Sequence, residues 1–148
     1  MILQTKSELS HKNITSPQIV DIQTHVDDRG CLGVVEALPD AGFVFKRLYF
    51  LYANSGDALR GQHAHKKLWQ YMIALHGQFD IILKGKNKTI EFTLSSPKQG
   101  LIVPPGYWRD LKNFSSDAVC LVGASEEYDE NDYIREYNAF IEWENQQD

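Results

Sequence analysis

Turn signals cut this chain at short intervals, and that punctuation limits its fold more than any single residue does. Asp27-Asp28-Arg29-Gly30, Leu38-Pro39-Asp40-Ala41-Gly42, Asn54-Ser55-Gly56-Asp57, His76-Gly77, Lys84-Gly85-Lys86-Asn87-Lys88, Ser95-Ser96-Pro97-Lys98-Gln99-Gly100 and Pro104-Pro105-Gly106 all carry residues that reverse a backbone. The runs between them, 31–36, 43–52, 78–83, 89–94 and 101–103, are rich in β-branched and aromatic residues, several alternating with polar ones. Short strands so spaced predict a sandwich or barrel. The lysines of 84–88 read as a solvated hairpin tip. Only the end looks helical: Asp129-Glu130-Asn131-Asp132 can cap a segment in which Tyr133, Tyr137, Phe140 and Ile141 share one face. Such a helix packs on the barrel or on a second subunit.

At 148 residues the chain is expected to be one domain, 1–148, with an N-terminal arm over 1–17, a barrel over 18–127 and a C-terminal segment over 128–148. No apolar run reaches membrane-spanning length. Met1-Ile2-Leu3-Gln4-Thr5-Lys6-Ser7-Glu8 lacks the basic-then-apolar order of a secretory signal, so a cytoplasmic location is expected. Cys31 and Cys120 sit far apart in strand-like contexts and read as small buried thiols. A net charge of -5 argues against general nucleic-acid affinity, yet a local arginine cluster can still hold an anionic small molecule.

Residues 59–77 concentrate the chemistry. His63 and His65 stand two apart, and on a strand residues i and i+2 face the same way. Histidine titrates nearest neutral pH, so a same-facing pair suits proton transfer or metal ligation. Gly61 precedes the pair and an apolar strand follows it.

Two stretches resemble the conserved motifs of the cupin superfamily. The first is His63 and His65 with the apolar strand that ends at Gly77; the second is 100–113, with Pro104-Pro105-Gly106-Tyr107-Trp108-Arg109. The resemblance implies an all-β fold, a double-stranded β-helix or jelly-roll barrel, with a short C-terminal helix. Metal-binding cupins add a glutamate and a further histidine. Here those places hold Trp69 or Gln70, and Arg109. Arginine has no lone pair to offer, and two histidines alone hold a divalent cation poorly, so no metal and no other cofactor is expected.

A narrower resemblance spans about 27–143. Asp28-Arg29-Gly30, Lys46-Arg47-Leu48-Tyr49-Phe50, Arg60-Gly61-Gln62-His63-Ala64-His65-Lys66, Phe114-Ser115-Ser116-Asp117 and Tyr128-Asp129-Glu130-Asn131-Asp132-Tyr133-Ile134-Arg135 are similar to the dTDP-sugar 3,4-ketoisomerases, the WxcM-like family. This implies a homodimeric isomerase that moves the ketone of dTDP-4-keto-6-deoxyglucose from carbon 4 to carbon 3. A transaminase then makes a 3-amino sugar for antibiotics or for surface glycans such as lipopolysaccharide. No nucleic acid or membrane partner is implied.

The chemistry suits the residues. A ketone at carbon 4 acidifies the hydrogen on carbon 3; a base removes it to give an enediol, and a proton returned to carbon 4 leaves the ketone at carbon 3. The resemblance assigns His63 to abstraction at carbon 3, and His65 to delivery at carbon 4 or to relay between the oxygens. Arg60, Arg109, Gln70 and Tyr49 are candidates for stabilising the enediolate. Arg29, Arg47 and Arg60 are candidates for the diphosphate. Trp69, Tyr107 and Trp108 are candidates for stacking on thymine. Arg29 and Arg109 are suspected of setting the configuration at carbon 4. The competing readings are a cupin-type sugar-nucleotide epimerase, a non-catalytic sugar-binding cupin and a metal-dependent oxygenase.

Overall fold

The computed structural model describes residues 14–147. Two five-stranded antiparallel sheets face each other. One runs in the order β1 (Gln18–Asp21), β9 (Gln99–Val103), β6 (Gln70–His76), β11 (Val119–Ala124), β4 (Arg47–Leu51). The other runs β12 (Tyr133–Ile134), β5 (Arg60–His65), β10 (Trp108–Lys112), β7 (Phe79–Gly85), β8 (Lys88–Leu94). A separate hairpin pairs β2 (Gln23–Asp27) with β3 (Gly30–Val34). This is the jelly-roll barrel that the turn spacing and the cupin resemblance predict. Among the described residues no helix is long and apolar enough to cross a membrane.

Alternation builds the core. Phe79, Ile81 and Leu83 of β7 point inward, against Met72, Leu101 and Val122 of the opposite sheet. The central strand β6 is buried on both faces, so its outer residues Tyr71 and Ile73 need a second cover. Phe43, Ala41 and Ile22 supply it. A third, smaller cluster joins Ala64, Trp108 and Ile134 to Phe140 of the helix α1 (Tyr137–Asn145).

Several local expectations are corrected. The 43–52 run is a strand only over Arg47–Leu51, because Phe43 and Phe45 pack edge-on against each other and tilted against Trp69 and Tyr71 instead of joining a sheet. The Leu38 loop contains one π-helical turn, Ala37–Ala41, ended by Gly42 at φ 87°. The C-terminal helix starts at Tyr137, not near Tyr133. Asp129 caps a short 3-10 turn (Glu130–Asp132) by accepting from the Asn131 N–H, and β12 then pairs Tyr133 with His65 and Ile134 with Ala64. A two-residue period won there because sheet pairing satisfies the backbone while Ile134 is buried. Cys120 is buried as expected, but Cys31 is exposed, since among the described residues no layer covers the hairpin that carries it. Of the N-terminal arm, 1–13 lie outside the described residues, and Ile14 belongs to the second cluster.

One irregularity positions the site. Between β10 and β5 the register shifts, with Arg109 opposite His63 and Asp110 opposite Gly61, so Gln62 is an extra residue with φ 54°. The bulge turns Arg60 to the same cavity as His63, although strict alternation would separate them. Gly61 makes it possible: its φ is 81°, and a Cβ there would sit 2.9 Å from the Arg109 carbonyl oxygen. Gly61→Ala should therefore cost about 1–3 kcal/mol and lower the thermal midpoint. An unchanged midpoint would show that the bulge is not held this way.

Candidate active site

The cavity measures about 480 Å³ and opens between the two sheets. Residues 47, 49 and 51 of β4 share its wall because they are two apart, and they face Arg60, Gly61 and His63 of β5 and Arg109 and Leu111 of β10. Tyr133 and Arg135 complete the rim.

His63 and His65 do face the same way, with ring centroids 4.8 Å apart and nearly perpendicular planes. The His63 Nδ1 lies 2.8 Å from the Gly61 carbonyl oxygen, which can only accept, so Nδ1 carries the proton. The His65 Nδ1 lies 3.0 Å from the Asp132 carboxylate, and the same reasoning protonates it there. Both Nε2 atoms are buried and have no partner among the described residues. Each is thus a free lone pair. Burial, followed by the field of Arg109, pushes His63 down to about 4. The same two causes push His65 well below the usual histidine range. Both rings are neutral bases at physiological pH. His63 lines the cavity, whereas His65 is fully buried in the wall behind it.

Arg109 faces the same side as His63 because the two are cross-strand partners. Its guanidinium donates to the Gln70 side-chain oxygen and, at 2.9 Å, to the Tyr107 carbonyl. It is not paired with Asp110, whose carboxylate accepts from the Trp108 indole. Burial lowers Arg109 to about 10, so it stays charged at neutral pH. Gln70 donates in turn to the Tyr49 hydroxyl at 2.7 Å, and burial raises that phenol to about 12. With its oxygen already accepting from Gln70, Tyr49 keeps its own proton to donate elsewhere. Two imidazoles beside a buried guanidinium do not fit a divalent cation, and no cluster of three ligating side chains occurs among the described residues.

Arg47 rests between the rings of Tyr49 and Tyr128, 5.5 and 5.6 Å from their centroids, and reaches the Tyr133 hydroxyl at 3.4 Å. Arg135 stacks on Tyr133 at 4.3 Å and pairs with Glu130. Four guanidiniums, those of Arg47, Arg60, Arg109 and Arg135, therefore line a cavity in a protein of net charge -5.

Of the residues expected from the sequence, His63, Arg47, Tyr49, Arg60 and Arg109 line this cavity, while Gln70 and His65 lie directly behind its wall. Arg29 is not brought to it. It sits at the tip of the β2–β3 hairpin, exposed and tied to Asp27 at 2.6 Å. None of the three aromatic residues expected to stack on a base reaches the cavity: Tyr107 and Trp108 are buried, and Trp69 packs on Phe43. Sequence reasoning missed Asp132, Tyr133 and Arg135 as site residues. Their signal was the spacing of Tyr133 and Arg135, two apart, which places both on one side of an extended segment but not of a helix.

Comparison with known proteins agrees. The family model FdtA: WxcM-like, C-terminal matches residues 15–145. The TDP-4-oxo-6-deoxy-alpha-D-glucose-3,4-oxoisomerase of Aneurinibacillus thermoaerophilus is 42% identical over 123 residues, covering 83% of this chain and 88% of that one. The crystal structure of QdtA, a sugar 3,4-ketoisomerase from Thermoanaerobacterium thermosaccharolyticum in complex with TDP, is 35% identical with a TM-score of 0.86, covering 90% of this chain and 97% of that one. A 3,4-ketoisomerase from Helicobacter canadensis is 37% identical with a TM-score of 0.85, covering 88% and 98%. With its barrel, its paired histidines and its arginine-lined cavity, the chain belongs to the WxcM-like family of FdtA.

Proposed function

We propose that this protein is a 3,4-ketoisomerase acting on dTDP-4-keto-6-deoxyglucose, and that His63 and His65 carry the proton transfers. The observation that carries this reading is the pair of same-facing neutral imidazoles with free Nε2 atoms beside an arginine-lined cavity. The His63 Nε2 takes the proton from carbon 3; the C–H electrons form the carbon 3–carbon 4 double bond, and the carbonyl oxygen becomes O4⁻. The Arg109 guanidinium and the Tyr49 O–H are the donors available to that oxyanion. His65 moves the proton of O3 to O4, and His63 returns its proton to carbon 4. One hydrogen has moved between carbons, one between oxygens, and nothing is oxidised overall. Arg47, Arg60 and Arg135 suit the diphosphate, since planar guanidiniums bind its oxygens in pairs.

The proposed assembly is a homodimer. Leu48 and Phe50 point outward from the edge strand β4 and are 61% and 59% exposed, beside an equally exposed Tyr52; Val26 and Leu32 are bare on the hairpin. A patch of this kind on a soluble domain marks a contact surface. Phe50→Glu should convert a dimer to a monomer in sedimentation velocity, and a monomeric unsubstituted protein would remove the proposal.

NMR of the product formed from dTDP-4-keto-6-deoxyglucose in heavy water tests the function. The expected product has its ketone at carbon 3; deuterium entering carbon 5 instead marks an epimerase. His63→Asn should lower turnover by about 10²–10⁴-fold. Because the neutral form of His63 is the base, and burial holds its pKa at about 4, kcat/KM should stay level below neutrality and fall only as the pH approaches that value. An acid limb near 6.5, the ordinary histidine value, would rule His63 out as that base.

A further inference from the structure

Asp132 is held more firmly than a surface carboxylate needs to be. Its Oδ1 accepts from the Lys67 N–H at 2.7 Å and its Oδ2 from His65 Nδ1 at 3.0 Å. Its own N–H donates to the Asp129 carbonyl, and its carbonyl accepts from Lys66 at 3.1 Å. The side chain is only 10% exposed. The two histidines therefore have unlike partners. The Gly61 carbonyl behind His63 is a neutral dipole that fixes a tautomer, whereas the carboxylate behind His65 also carries charge. Arg109, Arg47 and Arg135 all oppose a positive charge on His65, and Asp132 is the anion in contact with it.

We infer that Asp132 is a positioning residue for His65: it fixes the Nδ1–H tautomer, so that the Nε2 lone pair is free to accept a proton, and it stabilises the imidazolium that results. The inference rests on the ketoisomerase reading. In that reaction the O3–H bond breaks as the His65 Nε2–H bond forms, and the same proton then passes to O4⁻, restoring the neutral ring. Without the carboxylate, the intermediate cation would face three guanidiniums alone.

Asp132→Asn is the test. Its amide oxygen can keep the Lys67 N–H, which turns the NH₂ toward His65 Nδ1 and moves the ring proton to Nε2. Ring nitrogen shifts of ¹⁵N-histidine protein should show Nδ1–H for His65 in the unsubstituted protein and Nε2–H in the variant. Turnover should fall by about 10²–10⁴-fold with KM little changed. The kinetic isotope effect of deuterium at carbon 3 should shrink, because transfer between the oxygens becomes the slow step. A merely structural role would leave that isotope effect unmoved. An Nε2–H tautomer in the unsubstituted protein overturns the inference, as does a variant that turns over at the unsubstituted rate. If Asp132→Asn does not fold, the spectrum of the unsubstituted protein decides alone. Failure of that protein to form a 3-keto product would instead sink the ketoisomerase reading, and the tautomer measurement would still judge Asp132.

Discussion

The structure depends on β5 being paired on both sides, with β10 along one edge and the two residues of β12 along the other. Cross-strand partners face the same way. Pairing Arg109 with His63 and Tyr133 with His65 therefore places a cation, two imidazoles and a phenol ring on one wall without any loop having to present them. The Tyr133 ring sits 5.0 and 4.4 Å from the two histidine centroids, so the three rings brace one another. Side chains fixed on strands lose little further freedom when a ligand arrives, the condition for precise proton transfer.

That wall is costly. Arg109 is 1% exposed, and among the described residues no carboxylate bonds to it and its Nε, like both histidine Nε2 atoms, has no partner. Each unpartnered buried polar atom costs about 1–3 kcal/mol, against a net stability of about 5–15 kcal/mol for a typical domain. The barrel core offsets this from elsewhere: Ile81, Leu83, Leu94, Leu101 and Val103 are wholly buried. A metal-binding cupin would satisfy the same imidazoles with a cation. Here Gln70 and the Tyr107 carbonyl solvate a guanidinium instead, and the Gln70 amide, at one of the two places where a metal-binding cupin could carry its glutamate, accepts from Arg109 and donates to Tyr49 at once.

Much of this was legible in the sequence. A sandwich or barrel followed from turn spacing, the jelly-roll barrel from the cupin motifs, and the same-facing histidines from a period of two. What escaped was longer in range or stood against local propensity. Tyr133, Tyr137, Phe140 and Ile141 fit a helical face, and only pairing with β5, remote in sequence, makes Tyr133–Ile134 a strand. The bulge at Gly61–Gln62 lies inside a run that reads as regular. The tryptophans looked available for stacking, yet Trp108 was claimed by Phe140 and Tyr137 of α1 and Trp69 by Phe43. Arg29 was suggested by the Asp28-Arg29-Gly30 motif, and within this one chain its hairpin pairs β2 with β3 and, among the described residues, does not bring it to the cavity.

The arginines also tie binding to basicity. The field of Arg109 lowers the proton affinity of both histidines, and the same field lowers the energy of an oxyanion held nearby. In the proposed reaction these effects would oppose each other: a weaker base would meet a more acidic carbon. A dianionic diphosphate seated on Arg47, Arg60 and Arg135 would cancel part of the positive field while leaving Arg109, the guanidinium opposite His63, in place. His63 would then regain proton affinity as the substrate arrives, and the oxyanion would keep its nearest cation. Under the proposed function, a division between arginines that hold the phosphates and the one beside the histidines would let a single positive cavity serve both steps.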